Sequence, residues 1–334
     1  LQARLPTGQG GLGLRGAEET AAAAYASSYL SSQPYVRKLR GRLEETQSSL
    51  PQTILDSISK QTGEVITMEE LHGLSQKILG VKIDKQNPSK LEEEVTLEGN
   101  TREKAWLASL SLPYSGAWLD AAPVAALGLY LQPSEFTMVA RYRLGIPVYD
   151  RAGPCPACHR PSDKLGEHSL CCGHQGKRIS RHNRLRDALH DVAASAALAP
   201  VKEGRFLLPG CDRRPADVFL PGWAAGRDAA LDVTIVNSLQ AGTVEGAAET
   251  PGHALTFRYN TKMAESDKAC RNQGITFIPV VLESLGGFHP VAAREVKKLG
   301  SALARHTGEE EGGTIRRTFV RLSVLLLKGN AAIL

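Results

Sequence analysis

The pattern of apolar and polar residues divides the chain into two parts near residue 150. Residues 1–150 combine strong helix formers, as in the stretch 17–30, with short apolar runs, which predicts a mostly helical region. The polar stretch 85–89 contains Asn87-Pro88 and predicts a linker or loop inside that region. No residue pattern in this half is typical of a catalytic site.

The second part alternates between helical and strand-length patterns. Apolar residues recur at helical spacing between Ile179 and Val192, so residues 177–198 are predicted to form one amphipathic helix that Pro200 ends. Strand-length apolar runs follow at residues 206–208, 216–220, 230–236 and 275–282, with a helical pattern at 255–272 and closing helices at 290–306 and 315–328. This pattern predicts an α/β fold in the order helix, three strands, helix, strand.

Charge and composition narrow the class of protein only slightly. A formal net charge of +5 over 334 residues is mildly basic, so any argument for a nucleic-acid partner needs local clusters. No apolar run approaches the roughly 20 residues that cross a bilayer, which predicts a soluble protein. The chain starts at Leu1 without a secretory signal pattern, so we expect a fragment that is not secreted.

Cysteine and histidine residues crowd into one short segment. The spacing is C-x2-C-x9-H-x3-C, with the candidate ligands Cys155, Cys158, His168 and Cys172. Thiolate and imidazole ligands in a closed tetrahedron suit Zn²⁺, and four protein ligands leave no position for a catalytic water. We therefore predict a structural CCHC zinc knuckle over residues 151–176, in a reducing compartment.

Other interpretations of this segment stay open on sequence grounds. Cys171, His159 and His174 are close enough to replace one of the four ligands. A disulfide or redox pair and free thiols are the alternatives to a metal. A segment this small cannot fold on apolar burial alone, so the zinc hypothesis predicts that chelation melts it.

A cluster of cations follows the knuckle on the predicted helix. Its members are Lys177, Arg178, Arg181, Arg184 and Arg186, with His182 among them. If the apolar face of the helix docks on a sheet, the cations point outward and can neutralise nucleic-acid phosphates. The alternative is an ordinary solvated helix face. Such a cluster contributes affinity for nucleic acid rather than sequence specificity.

Two aspartates lie in neighbouring predicted strands. Pro221, Gly222 and Gly226 form a turn between those strands, which predicts an antiparallel hairpin. If Leu220 faces Ala229 across the hairpin, then Asp217 faces Asp232 three positions further along, and the two carboxylates share one face. This register would place the side chains of Asp217 and Asp232 close together.

Paired carboxylates in apolar strands need a cation, and Mg²⁺ prefers oxygen ligands. A lysine near such an ion can orient a water or stabilise charge on a phosphate; Lys262, on the following helix, is the first candidate and Lys268 the reserve. The alternative is structural, in which either Asp217 or Asp232 caps a strand or pairs with an arginine.

The sequence resembles a known family over about half its length. The run from Cys155 through Asp217 and Asp232 to residues 283–287 (Glu-Ser-Leu-Gly-Gly) is similar to the C-terminal region of non-LTR retrotransposon polyproteins. In that family a zinc knuckle precedes a restriction-enzyme-like endonuclease of PD-(D/E)XK type. Residues 5–15 are similar to the segment that follows the fingers and palm of the reverse transcriptase in such proteins.

The resemblance implies a restriction-endonuclease-like αβββαβ core in which Asp217 is the first metal-binding acid and Asp232 the second. Two departures matter, because Ala216 separates Pro215 from Asp217 and Thr234 stands where the common motif has lysine. Members of this class carry the lysine on the following helix, which is similar to the position of Lys262. Glu203 is a further candidate for assisting the metal.

The predicted organisation has four parts: 1–150, a helical thumb and linker remnant; 151–176, the knuckle; 177–310, the nuclease core; and 311–334, a C-terminal helix. The predicted function is a Mg²⁺-dependent endonuclease that nicks target DNA for target-primed reverse transcription, without reverse transcriptase activity of its own. The alternative is an inactive or domesticated nucleic-acid-binding module, and a third hypothesis is a metal-stabilised scaffold that binds protein. Expected partners are target DNA and the RNA of the element, not a membrane, with action in the nucleus and otherwise a cytoplasmic location.

Overall fold

The computed structural model describes residues 2–40, 49–98, 100–173, 176–204, 207–208 and 215–334. In these ranges the fold is α/β and mostly helical, with twelve α-helices and two small sheets. The chain forms two compact units, residues 1–98 and residues 99–334.

The first unit is helical. Its α-helices are α1 (Ala17–Arg40), α2 (Gln52–Thr62), α3 (Met68–Leu71) and α4 (Gln76–Glu98). They enclose a small apolar cluster that includes Ala26, Ile58 and Leu79, all 0% exposed. The linker predicted at residues 85–89 is wrong, because helix α4 runs through them: helix formers on either side outweigh the Asn-Pro signal.

The second unit begins with two helices that the sequence analysis grouped with the N-terminal region. Helix α5 (Thr101–Leu110) starts at a capping box between Asn100 and Glu103. Helix α6 (Pro133–Arg143) follows after two short 3₁₀ turns. Trp106 and Tyr142 are buried with Leu285 in one cluster, so the contacts divide the chain at residues 98 and 99 rather than near residue 150.

The remaining elements form a small hairpin, a sheet and the helices that cover it. They are β1 (Gly153–Pro154), β2 (Pro161–Ser162), α7 (Glu167–Cys171), α8 (Lys177–Ser195), β3 (Val201–Lys202), β4 (Val218–Ala224), β5 (Arg227–Val236), α9 (Val244–Glu249), α10 (His253–Arg271), β6 (Thr276–Glu283), α11 (Pro290–Thr307) and α12 (Glu311–Ile333). Apart from the short helix α9, the order from α8 to β6 is helix, three strands, helix, strand, as the pattern predicts.

The four-stranded sheet has the order β3-β4-β5-β6. Strands β3, β4 and β5 pair antiparallel, whereas β6 lies parallel to β5 because helix α10 forms the crossover between them. Leu220 pairs with Ala229, so the predicted hairpin register is confirmed. The turn uses positive φ at Ala225 (53°) and Gly226 (82°), as expected for a two-residue hairpin turn.

The first strand of the sheet differs from the prediction. It lies at Val201–Lys202 and pairs with Val218 and Phe219. The predicted strand at 206–208 falls partly outside the described residues, and Leu207 and Leu208 form a bend. Leu208 is buried in the apolar cluster on the α10 side of the sheet, where it is 6% exposed.

The two faces of the sheet are covered by different helices. Alternate residues such as Leu231, Val233 and Val280 join the main core with α8, α11 and α12. The opposite face contains Ala230 and Phe277 and packs against α10. In β5 the residues with the same parity as Ala230 therefore face the α10 side of the sheet, and in β4 the residues with the same parity as Phe219, the partner of Ala230, do so.

Candidate metal centre and carboxylate site

The predicted Cys3His group comes together in the structure. The ligand atoms of Cys155, Cys158, His168 and Cys172 all lie within 4.8 Å of one another. The Cys158 sulfur is 3.2 Å from His168 Nε2, and the sulfurs of Cys155 and Cys172 are 3.9 Å apart. A tetrahedral zinc ion with bonds of about 2.0–2.3 Å separates its ligands by roughly 3.5–3.8 Å. The cluster can therefore hold a metal ion such as zinc.

The first two ligands lie in a tight turn that joins β1 to β2. The Cys155 N–H donates to the carbonyl of Arg160 at 2.8 Å, and the His159 N–H donates back to the Cys155 carbonyl at 2.8 Å. The N–H group of Ala157 points at the Cys155 sulfur and, against the smaller opposing effect of burial, lowers the pKa of this thiol to about 6. A thiol that ionises this readily suits metal binding, which requires the thiolate.

The other two ligands are carried by helix α7 and the residue after it. Asp163 fixes the start of this helix by accepting hydrogen bonds from the N–H groups of Leu165, Glu167 and His168 at 2.8–3.1 Å. Burial raises the pKa of Asp163, but those N–H donors outweigh it and leave the pKa below its ordinary value. An ionised Asp163 thus holds His168 in position.

The C-terminal end of α7 is held by two arginines of α8. Arg178 donates to the carbonyl of Cys171 at 2.7 Å, and Arg181 donates to the carbonyl of Leu170 at 3.3 Å. Arg181 also donates to Asn330 Oδ1 at 2.6 Å. Cations near the last carbonyls of a helix satisfy otherwise unpaired acceptors. These two arginines therefore attach the knuckle to the body of the second unit.

The alternative ligands lie elsewhere. Cys171 is not a member of the group, and burial raises its pKa, which disfavours the thiolate. His159 is exposed and also lies outside the group, whereas His174 falls outside the described residues. The five cysteines of the described part are free thiols, so a disulfide does not explain the cluster there.

The prediction that the cations of α8 point outward is wrong for Arg181. Arg181 is only 3% exposed, because its position faces α12, where its Cγ occupies the space beside Gly329. Burial lowers the pKa of Arg181 to about 10. Arg186 is paired with the carboxylate of Glu203. Lys177 and Arg184 are the exposed members of the predicted cluster.

The paired aspartates lie on the α10 side of the sheet. Val218 pairs with Leu231, so Asp217, immediately before β4, is opposite Asp232. The Asp217 N–H donates to the Leu231 carbonyl at 2.9 Å, which extends the ladder by one residue. Both carboxylates are largely buried, with side chains 18% and 15% exposed. The predicted convergence of these two acids is thus present in the structure.

Each oxygen of the Asp217 carboxylate has a different partner. Oδ2 accepts the N–H of Val233 at 2.7 Å, across the hairpin. Oδ1 is 3.0 Å from Nε2 of His182, on α8. This hydrogen bond raises the pKa of His182, with burial opposing and the charges of both aspartates adding to the rise. The sequence places His182 only among the cations of α8, because its contact with Asp217 joins residues 35 positions apart and leaves no local pattern.

Lys262 lies where the sequence predicted an amine. Its Nζ is 3.1 Å and 3.0 Å from the two carboxylate oxygens of Asp232. Burial raises the pKa of Asp232, and the neighbouring charge of Asp217 adds to this, while Lys262 opposes it. The site therefore combines two carboxylates, an amine and an imidazole, a set that can bind a divalent cation and position a water.

The other residues predicted for the carboxylate site do not place an amine or a further carboxylate against the two aspartates. Lys268 is exposed two turns further along α10, so Lys262 is the amine at the carboxylates. Glu203 is joined to Asp217 through its backbone, whose N–H donates to the Asp217 carbonyl at 3.0 Å, but its carboxylate pairs with Arg186. Thr234 donates to Asp232 at 3.2 Å, so this position orients the acid instead of supplying a lysine.

Comparison with known proteins gives no independent assignment. No protein-family model matches the chain, and a search of curated proteins finds no match. Among the described residues, none of the helices has the length and apolar character needed to span a membrane.

Proposed function

We propose that the protein is a Mg²⁺-dependent DNA endonuclease from the C-terminal region of a non-LTR retrotransposon polyprotein. The observation that carries the proposal is the joint placement of Asp217, Asp232 and Lys262 on one face of the sheet. Three residues from three separate elements meet there, with the acids largely buried. Burying charged groups costs free energy, so a purely structural role is a poor reason for such a cluster.

The sheet supports a restriction-endonuclease-like core. The resemblance implies an αβββαβ order for such a core, and the elements from α8 to β6 follow that order apart from the short helix α9, with β6 parallel to β5. Asp217 lies immediately before the second strand, Asp232 lies on the third, and Lys262 lies on the following helix, where the retrotransposon members of that class carry their lysine. Fold likeness alone gives no activity, so the proposal depends on the site.

The residues of the site have distinct roles in this proposal. Asp217 and Asp232 would hold the ion, since oxygen ligands suit Mg²⁺. An ion held by these carboxylates would supply Lewis-acid chemistry, which would polarise a phosphodiester and lower the pKa of a coordinated water. Lys262 places a positive charge beside Asp232, where it stabilises negative charge developing on the phosphate. The N–H of Val233 and the hydroxyl of Thr234 orient the two carboxylates.

The knuckle has a structural role in this proposal. Its four protein ligands form a closed set that suits Zn²⁺ and leaves no open position for chemistry. Lys177 and Arg184, the exposed cations of α8, contribute phosphate contacts to target DNA or to the RNA of the element. Action on chromosomal DNA implies a nuclear site of action.

The test is nicking of supercoiled plasmid by the full chain in Mg²⁺. Replacing Asp217 or Asp232 by Ala should reduce nicking by more than about 100-fold, because even outer partners of metal ligands contribute about 10- to 100-fold. Asp228→Ala is the matched control, since Asp228 lies on β5 with the same parity as Asp232 but near the hairpin turn. Full nicking by both site variants would refute the assignment.

One observation favours an inactive nucleic-acid-binding module as the second candidate. Lys262 contacts both oxygens of Asp232, and such an ion pair neutralises the acid without a metal. A protein that binds DNA or RNA with salt-sensitive affinity, but cleaves neither in Mg²⁺ nor in Mn²⁺, is this module. Absence of any salt-sensitive nucleic-acid affinity instead selects a scaffold that binds protein.

A further inference from the structure

The imidazole of His182 is directed at the carboxylate pair from a separate element. Its Nε2 lies 3.0 Å from Asp217 Oδ1, and its side chain is 30% exposed. The other carboxylate oxygen, Oδ2, is occupied by the N–H of Val233. Asp217 Oδ1 and His182 Nε2 are therefore two neighbouring atoms that could both bind a metal ion at one edge of the carboxylate pair.

We propose that His182 is a third protein ligand of the ion that Asp217 and Asp232 hold, and that this nitrogen makes the site prefer Mn²⁺ over Mg²⁺. The inference rests on the proposed function, since it concerns the same ion. It adds His182 to the residues that hold the ion and states which divalent cation the site binds more tightly.

The spacing of the donors fits shared coordination. Neighbouring ligands of an octahedral ion with bonds of about 2.1 Å are about 3.0 Å apart. The separation of His182 Nε2 from Asp217 Oδ1 is 3.0 Å. A hydrogen bond between these two atoms has the same length. The same separation therefore fits a hydrogen bond in the metal-free protein and two ligands of one ion in the metal-bound protein.

The backbone of α8 holds His182 in this place. Leu185 and Leu189, on the next two turns of the helix, pack in the main core, where they are 0% and 1% exposed. The preceding residue, Arg181, is fixed by hydrogen bonds to α7 and α12. His182 is thus presented by a rigid element, as ligands of a preorganised metal site are.

The choice of ion follows from ligand chemistry. Mg²⁺ takes oxygen ligands and loses its waters reluctantly, whereas imidazole nitrogen suits transition-metal ions. Mn²⁺ accepts carboxylate oxygen as well as nitrogen. A set of two carboxylates and one imidazole therefore gains more affinity for Mn²⁺ than for Mg²⁺ when His182 is included.

The test uses the zinc-loaded full chain with substoichiometric Mn²⁺ and measures electron spin-echo modulation from nitrogen. We expect ¹⁴N modulation from one imidazole, which changes to a ¹⁵N pattern when the protein is grown with ¹⁵N-labelled histidine. This labelling needs no substitution, so it shows whether a histidine binds the ion even if a variant fails to fold, and His182 is the histidine in contact with Asp217. His182→Gln should abolish the modulation and weaken Mn²⁺ binding by about 10- to 100-fold, with less effect on Mg²⁺.

His190→Gln is the matched control, because His190 lies two turns later on α8 and pairs with Asp191. It should leave the nitrogen signal and the Mn²⁺ affinity unchanged. Binding that depends on Asp217 but shows no histidine nitrogen overturns the role of His182 and leaves the proposed function standing. Absence of any Mn²⁺ binding that depends on Asp217 overturns both.

Discussion

The knuckle and the carboxylate site are two candidate metal centres built in opposite ways. The four knuckle ligands lie within the 18 residues from Cys155 to Cys172, in one turn and one short helix. The carboxylate site spans residues 182–262 and takes its side chains from α8, β4, β5 and α10 or their immediate ends. The first depends on local chain geometry, the second on strand register and helix packing.

Neighbouring residues of α8 connect these two regions. Arg181 donates to the carbonyl of Leu170 in the knuckle helix, whereas His182 contacts Asp217. Successive residues of an α-helix point about 100° apart, so one helix can serve two sites on different sides. The basic run that resembles a phosphate-binding surface is therefore largely a junction between the two centres.

The largest expected effect comes from removing the knuckle metal. Structural zinc binding contributes about 10–16 kcal/mol in small knuckles, and this segment has little apolar burial of its own. Chelation, or Cys172→Ser, should remove hydrogen-exchange protection from residues 151–173. The amides of β5 and β6 should keep theirs, because the sheet packs on its own core. Exchange measured by mass spectrometry, with zinc counted by elemental analysis, checks this.

A matched control for chelation is Cys270→Ser, which changes a buried cysteine of α10 outside the cluster. It should alter neither zinc content nor protection of residues 151–173. If that segment stays protected after all zinc has been removed, the knuckle does not depend on metal. Loss of protection over the whole second unit would show that the two centres fold as one.

The sequence predicted the two centres with different success. Ligand spacing was sufficient for the knuckle, because a C-x2-C turn places its own thiolates. The pairing of Leu220 with Ala229 could be inferred from the hairpin, and it placed Asp217 opposite Asp232. Lys262 was inferred from the need for an amine near the two acids and from the family resemblance, because nothing in the residue spacing fixes where a crossover helix packs.

The errors have a common physical cause. Arg181 is charged yet 3% exposed, while Ile179, taken as part of the apolar face, is 66% exposed. Helix periodicity gives the relative directions of side chains but not which partner covers each face. The contact of Arg181 with α12 joins residues 149 positions apart, and that pairing leaves no trace in the local pattern.

The second-largest expected effect concerns Arg181, which connects the knuckle to helix α12. Arg181→Met keeps the aliphatic stem beside Gly329 but removes the donors to Leu170 and Asn330. Losing hydrogen bonds from a charged donor should destabilise the second unit by about 2 kcal/mol. Arg184→Met, an exposed position one turn away, should stay within about 0.5 kcal/mol. Urea unfolding followed by tryptophan fluorescence is suitable, since all three tryptophans lie within residues 99–334.

Equal stability of the two arginine variants would contradict the junction. The outcome would mean that the cost of burying the Arg181 charge cancels its hydrogen bonds. A shift in knuckle protection for Arg181→Met alone, without lower stability, would restrict the role of Arg181 to positioning α7.

The smallest effect is electrostatic and concerns the carboxylate site. Burial raises the pKa of Asp232 above its ordinary value, so the folded state holds this proton more tightly than the unfolded chain. The associated stability is complete below pH 3.8 and is lost as the pH rises through the raised pKa. Lys262 opposes the rise, so Lys262→Met should raise the pKa further and steepen this loss, by about 1.4 kcal/mol for each added pKa unit.

Metal-free protein at pH 4 and pH 8 provides the measurement, with unfolding free energies from tryptophan fluorescence. Lys268→Met, on the same helix but exposed, should leave the difference between the two pH values as in the parent chain. In the Asp232→Asn background the effect of Lys262→Met on that difference should disappear, because the titrating partner is gone. Persistence of the effect there would show that the pH dependence does not come from the contact between Lys262 and Asp232.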